Sequence, residues 1–121
     1  MKIKLLEPCF SVCRIADMGA ADWNAPFCFA ARTDEEYSLV CPDAYIPANA
    51  LTCESGWRAM RIEGVLNFDL VGILARISGV LAQNGIPIFA VSTYNTDYIL
   101  VKEINVAAAL DALAGNDFEI E

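Results

Sequence analysis

Apolar residues recur at spacings of three and four over one stretch of the chain: Leu70, Ile73, Leu74, Ile77, Val80 and Leu81. Such spacing lines up a single helical face. Asn67-Phe68-Asp69 stands before the stripe, and Asp69 is suited to cap the exposed N–H groups of a first turn. Asn84-Gly85 ends it with two residues able to take the left-handed conformation. A shorter helix is predicted over 106–114, with Val106, Ala109, Leu110 and Leu113 as its stripe, Asn105 as cap and Gly115 as stop.

Strands are predicted around these helices. Residues 57–62 alternate, 86–91 are β-rich up to the polar run Ser92-Thr93-Tyr94-Asn95-Thr96-Asp97, 98–101 are short and apolar, and 118–120 are a last strand. The order over 57–121 is βαββαβ, the ferredoxin-like plan of an α+β domain. Its sheet is expected to be antiparallel, with both helices on one face.

Residues 1–56 read as a degenerate half on the same plan, so two domains are expected, 1–56 and 57–121. Phe29-Ala30-Ala31-Arg32-Thr33 then Tyr37-Ser38-Leu39-Val40 echoes Phe89-Ala90-Val91-Ser92-Thr93 then Tyr98-Ile99-Leu100-Val101, and Arg14-Ile15 echoes Arg61-Ile62. Gly19, Asn24 and Pro26 leave no room for a four-turn helix between the first and second strands, and Pro42 and Pro47 argue against a normal second helix. Chance likeness between short apolar strands is the other reading of the echo.

Composition narrows the function. The 121 residues are 56% hydrophobic and 20% charged, which excludes disorder and supplies a core. The longest uncharged run, 77–96, holds Asn84, Gly85, Pro87 and Asn95, so it reads as a helix end and a strand, not a membrane span. Lys2, Lys4 and Glu7 break up any apolar leader, which points to a cytoplasmic protein. Lys and Arg number 8 against 16 Asp and Glu, for a net charge of −8, and the bases are scattered; a nucleic-acid role does not fit. Histidine is absent, which removes Ser-His and Cys-His nucleophile pairs and His metal sites. Cys9, Cys13, Cys28, Cys41 and Cys53 are odd in number and only Cys9 and Cys13 stand close, without paired metal spacing, so free, mostly buried thiols are expected ahead of redox chemistry or a metal, and no metal or cofactor is assigned.

The run Ser92 to Asp97 is where chemistry can sit. The first helix of a βαββαβ unit starts beside the same sheet, and its N-terminal N–H groups attract carboxylates. Asp97 can hold an ammonium or guanidinium group, and a donor set opposite a carboxylate suits a free amino acid. The alternative is a hairpin connection in which Asn95 and Asp97 only shape the turn. Asp34-Glu35-Glu36 reads as a solvated turn, and Trp23 and Trp57 are expected to be buried between the two copies.

Trp57-Arg58, Phe68-Asp69-Leu70-Val71-Gly72-Ile73-Leu74-Ala75, Ile86-Pro87-Ile88-Phe89 and Ser92-Thr93-Tyr94-Asn95-Thr96-Asp97-Tyr98-Ile99-Leu100-Val101 together resemble the ACT-domain family. More narrowly, they resemble the small bacterial ACT proteins related to the eukaryotic cytosolic arginine sensors. Arg32-Thr33-Asp34-Glu35-Glu36-Tyr37-Ser38-Leu39-Val40-Cys41 is similar to the hairpin of that group's degenerate first domain. The likeness covers most of 10–114, and its most specific string is S-T-x-x-T-D-Y-I-L-V. It implies a small effector, most often an amino acid, bound at an interface between paired domains. Carried over, it implies ligand contacts from Asn67, Leu70, Val71, Gly72 and Ile73, from Thr93 and Tyr94, and from Asp97 facing a cationic part of the ligand. Two features depart from the pattern. Val71 precedes Gly72 where many ACT domains have Pro-Gly, and the chain has about two repeats where the eukaryotic sensors have four.

These readings converge on a non-catalytic regulatory protein that binds an amino acid. The alternative is a structural or protein-interaction module without a ligand. An enzyme fits least, because no nucleophile–base pair is readable. A sheet of this plan leaves an edge and a face to be covered, so a homodimer is expected.

Overall fold

The computed structural model describes residues 1–64 and 71–121. Its elements run β1 (Lys2–Ile15), β2 (Phe29–Arg32), β3 (Tyr37–Pro42), β4 (Thr52–Ile62), α1 (Ile73–Gln83), β5 (Phe89–Ser92), β6 (Asp97–Lys102), α2 (Val106–Ala114) and β7 (Glu119–Ile120). The chain divides into two compact units, Met1–Glu7 with Arg58–Glu121, and Pro8–Trp57. β1 and β4 each contribute residues to both.

In the unit of Met1–Glu7 and Arg58–Glu121 the strand order is β5-β6-β4-β1, with β7 on β1. The sheet expected over 57–121 is antiparallel, with strands of that segment alone. Instead the start of β1 lies beside β4, and β7 pairs with it in parallel, Lys2 opposite Glu119 and Ile3 opposite Ile120. Glu63 N–H donates to the Lys2 carbonyl at 2.9 Å, and Leu51 N–H to the Arg14 carbonyl at 2.9 Å, so β1 and β4 are antiparallel. A β7 running against β4 therefore runs with the strand inserted before it.

Both helices pack on one core. Ile77, Val80 and Leu81 of α1 and Ala109 and Leu113 of α2 are buried with Ile3, Met60, Ile62, Ile99, Val101 and Phe118. Ile73, Leu74, Val106 and Leu110 are partly buried against this cluster, which completes both predicted stripes apart from Leu70. Leu70 and the proposed cap Asp69 lie outside the described residues. α1 starts later than expected, at Ile73, after Gly72 in the left-handed region at φ 84°. Its other end is as expected: Ile86 N–H donates to the Leu81 carbonyl, and Gly85 has φ 71°. α2 has the predicted limits, but Asn105 makes no side-chain cap; a 3-10 turn, Glu103–Asn105, leads into the helix. Arg76 ties α1 to the segment before β7, donating to the Asn116 carbonyl at 3.0 Å and lying 4.6 Å over the Phe118 ring. Among the described residues no helix is long and apolar enough to cross a membrane.

In the Pro8–Trp57 unit the order is β2-β3-β1-β4. Its core gathers Cys13, Ile15, Ala21, Leu39 and Cys41. The echo between the two hairpins is structural. Phe29 pairs with Val40 and Arg32 with Tyr37, as Phe89 pairs with Leu100 and Ser92 with Asp97. The register corrects the sequence alignment by one residue on the third strand, because the counterpart of Tyr37 is Asp97 and not Tyr98. Short 3-10 turns, Met18–Ala20 and Asp43–Tyr45, stand where full helices are ruled out by the prolines and glycine. Trp57 is buried, but Trp23 is 65% exposed, against expectation. It sits in a tight turn in which Asn24 N–H donates to Asp22 Oδ1 and Ala25 N–H to the Asp22 carbonyl, with no regular element to carry its ring inward. The thiols are less buried than expected: Cys13 and Cys41 are buried, Cys9 and Cys28 half-buried and Cys53 exposed.

Candidate functional site

The polar run closes on itself. Thr93 donates to the Thr96 carbonyl twice, from its backbone N–H at 2.9 Å and from Oγ1 at 3.1 Å. Thr96 is buried, and its Oγ1 donates to the Ile62 carbonyl at 2.7 Å, which fastens the hairpin tip to the end of β4. At the base of the tip Ser92 Oγ donates to Asp97 Oδ1 at 2.6 Å.

Strand alternation sorts these side chains by face. Asp97 shares its face with Ile99 and Val101, which pack in the core with both helices. On that side α1 begins. Its first intrahelical bond runs from Arg76 N–H to the Gly72 carbonyl at 2.8 Å, so the amides of Ile73, Leu74 and Ala75 have no acceptor within the helix. The start of α1, whose first amides have no acceptor within the helix, and a carboxylate thus lie on one side of the sheet.

The residues implied by the resemblance are placed as follows. Gly72 and Ile73 form the start of α1, and Val71 before them is 89% exposed. Thr93 braces the tip, Tyr94 stands out of it at 80% exposure, and Asp97 is held by Ser92. Asn67 and Leu70 lie outside the described residues.

Sequence reasoning missed a cleft of about 240 Å³, lined by Arg61, Ile62, Glu63, Gly64, Thr93, Asn95, Thr96 and Tyr98. Arg61 donates to Glu63 Oε1 from Nε at 3.3 Å and from Nη2 at 3.1 Å. Burial works to lower the Arg61 pKa, but hydrogen bonds with Tyr98 and Glu63 outweigh it and raise it above its ordinary value. The cleft therefore holds a fixed cation beside its carboxylate, ringed by hydroxyl and amide groups. The only sequence trace of it is a cation and an acid two positions apart, Arg61 and Glu63, followed by Gly64, which takes φ 94° in the structure.

The Pro8–Trp57 unit carries a related cleft of about 380 Å³. Arg14, Ile15, Thr33, Glu35 and Glu36 line it, at positions equivalent to Arg61, Ile62, Thr93, Asn95 and Thr96. Ala16 stands there in place of Glu63. Among the described residues no group of three or more His, Cys, Asp or Glu side chains is arranged to hold a metal ion.

Comparison with known proteins agrees with this architecture. The ACT-domain family model matches residues 52–115. The mouse cytosolic arginine sensor for mTORC1 subunit 1 is 39% identical over 106 residues, covering 81% of this chain and 32% of that protein. The human protein of the same name is 42% identical over 66 residues, 52% of this chain and 20% of its own length. The chain thus spans a third or less of the length of these curated relatives. A crystal structure of an Agobacterium tumefaciens protein superposes with a TM-score of 0.87 at 31% identity, covering 99% of this chain and 91% of that one. The regulatory subunit of aspartate kinase from Thermus thermophilus, in its ligand-free form, shares the fold alone, with a TM-score of 0.63 at 10% identity over 93% of this chain and 95% of that one. A family match over more than half of the chain, on strands and helices in the ACT order, shows that the chain belongs to the ACT-domain family.

Proposed function

We propose that the protein is a non-catalytic, cytoplasmic regulator that binds an amino acid at an interface of its ACT domain. The carrying observation is that Asp97 and the start of α1, whose first amides have no acceptor within the helix, lie on the same side of the sheet. The amides of Ile73 to Ala75 receive the effector's carboxylate. Asp97 keeps Oδ2 for the positive group, since Ser92 takes Oδ1. Val71, Gly72, Thr93 and Tyr94 frame the pocket, and Asn67 and Leu70 stand just before Val71 in the sequence. Support comes from the mouse relative, which is named as an arginine sensor. Residues 1–56 act as a reduced ACT-like copy. Two chains associate as a homodimer, which supplies the second side of the interface. The test is a thermal-shift screen against the common amino acids, with light scattering for the assembly. A ligand at ~100 times its Kd stabilises by about 2.7 kcal/mol, and a shift with one of them is expected.

One observation favours a second reading. The tip is already closed by Thr93, and Asp97 is already bonded to Ser92, so the hairpin stands without a ligand. A structural or protein-interaction module predicts no shift with any amino acid in that screen.

A further inference from the structure

The five cysteines are unbridged, yet they are not spread evenly. Cys13 on β1 and Cys53 on β4 bring their sulfurs to 2.7 Å within the Pro8–Trp57 unit. That is sub-van-der-Waals contact, a little more than half an ångström beyond a disulfide bond of about 2.05 Å. The two sulfurs face different surroundings. Cys13 is 2% exposed, whereas Cys53 is open to solvent. Burial, followed by the hydrogen bond and charge of Cys53 and by Cys41 and Asp43, pushes the Cys13 thiol up to about 12. Cys13 therefore rests protonated behind a more reachable thiol. Cys41, at 1% exposure, is shut away from reagents in solution.

We propose that Cys13 and Cys53 form a thiol–disulfide site that exchanges with low-molecular-weight disulfides and closes a reversible bond between β1 and β4. The sulfur of Cys53, the exposed residue of the pair, attacks as thiolate one sulfur of the small disulfide. That S–S bond breaks, and one small thiolate leaves and takes up a proton. Cys13 then attacks the Cys53 sulfur, expelling the second small thiolate, which takes up the proton that Cys13 gives up. Two protein thiols lose two electrons and two protons, and one small disulfide is reduced to two thiols. The short sulfur–sulfur distance makes the second step intramolecular and nearly free of chain movement. Small thiols in excess run the sequence backwards.

The test uses the full folded chain and glutathione disulfide at neutral pH, with thiols counted after denaturation and peptides mapped without reduction. The chain is expected to lose two of its five thiols, to yield one cross-linked pair of peptides containing Cys13 and Cys53, and to recover both thiols in reduced glutathione. Cys53→Ser abolishes the thiol loss, and Cys13→Ala stops at a glutathione adduct on Cys53. The map of the unaltered chain decides the matter even if Cys13→Ala does not fold. Persistence of all five thiols overturns the proposal, as does a stable glutathione adduct on Cys53 of the unaltered chain, or a bond through Cys9, Cys28 or Cys41.

Discussion

Thr33 and Thr93, sixty positions apart, close their turns with the same bonds. Each backbone N–H donates at 2.9 Å to the carbonyl three residues on, that of Glu36 or of Thr96, and each Oγ1 donates to the same oxygen. What differs is the residue that carries the carbonyl. Thr96 is buried and anchors to the Ile62 carbonyl, while Glu36 is an exposed acid. One hairpin tip is thereby fixed to its neighbouring strand by a buried side chain and the other is not.

Thr96→Val tests that anchor. It keeps the shape but removes the hydroxyl that donates to Ile62, leaving a buried carbonyl without that partner. The expected loss of stability is about 1–3 kcal/mol, read from urea denaturation. Loss of less than half of the lower figure shows that water replaces the hydroxyl.

Asp97→Ala tests the proposed effector site. Removing one partner of a desolvated charge pair costs about 2–5 kcal/mol of binding, which is roughly thirty-fold to several-thousand-fold in affinity. Ser92 loses its acceptor at an exposed position, so the fold is expected to survive, as checked by circular dichroism. Asp34→Ala on the equivalent tip is the control and leaves affinity nearly unchanged in calorimetry. Equal binding by Asp97→Ala and the parent places the effector elsewhere.

Two glycines of the α1 region respond in opposite directions to alanine. Gly79 is inside the helix with open space where a Cβ would sit, so Gly79→Ala is expected to stabilise by about 0.5–1 kcal/mol. Gly72 also has open space, but its φ of +84° disfavours any side chain, and Gly72→Ala is expected to cost about 1–2 kcal/mol. Thermal melts of the two variants that move the same way contradict this assignment.

Alkaline pH weakens the fold through two buried thiols. Burial is the main cause that raises Cys13 to about 12 and Cys41 to about 11, against an ordinary value of 9.0; for Cys13 the neighbours Cys53, Cys41 and Asp43 add to it. A thiol with a raised pKa holds its proton in the folded chain where the unfolded chain has lost it. The stabilisation is complete below pH 9 and is lost as pH climbs through 11 to 12. The denaturant midpoint is expected to fall over this window, and to fall less steeply in Cys41→Ala. A parallel decline in both proteins removes Cys41 as a contributor.

How much of this was legible in the sequence depended on whether a feature is set locally. The α2 limits follow from a stripe of three- and four-residue spacing ended by Gly115, and the structure has them as read. The two hairpins were legible because apolar strands flank polar turns, yet the matching tyrosines Tyr37 and Tyr98 drew the alignment one residue out of register. β1 was visible only at Arg14-Ile15. Its burial slips phase at Pro8 to Ser11, so no simple alternation announces fourteen extended residues. Asp97 and Thr93 were singled out by the polar run in which they stand. Arg61, Glu63 and Tyr98 were not, because they join that run only when β4 lies beside β6.

The pairing of Lys2 and Ile3 with Glu119 and Ile120 sets an order of events during synthesis. Ile3 and Leu6, both buried in the finished fold, are made more than a hundred residues before β7, the strand that covers one edge of Lys2 and Ile3. The unit that carries the two helices cannot complete itself in passing, as a locally wired domain does. Until β7 emerges, the start of β1 keeps an unfilled edge beside buried-to-be apolar residues, and that interval favours misassembly.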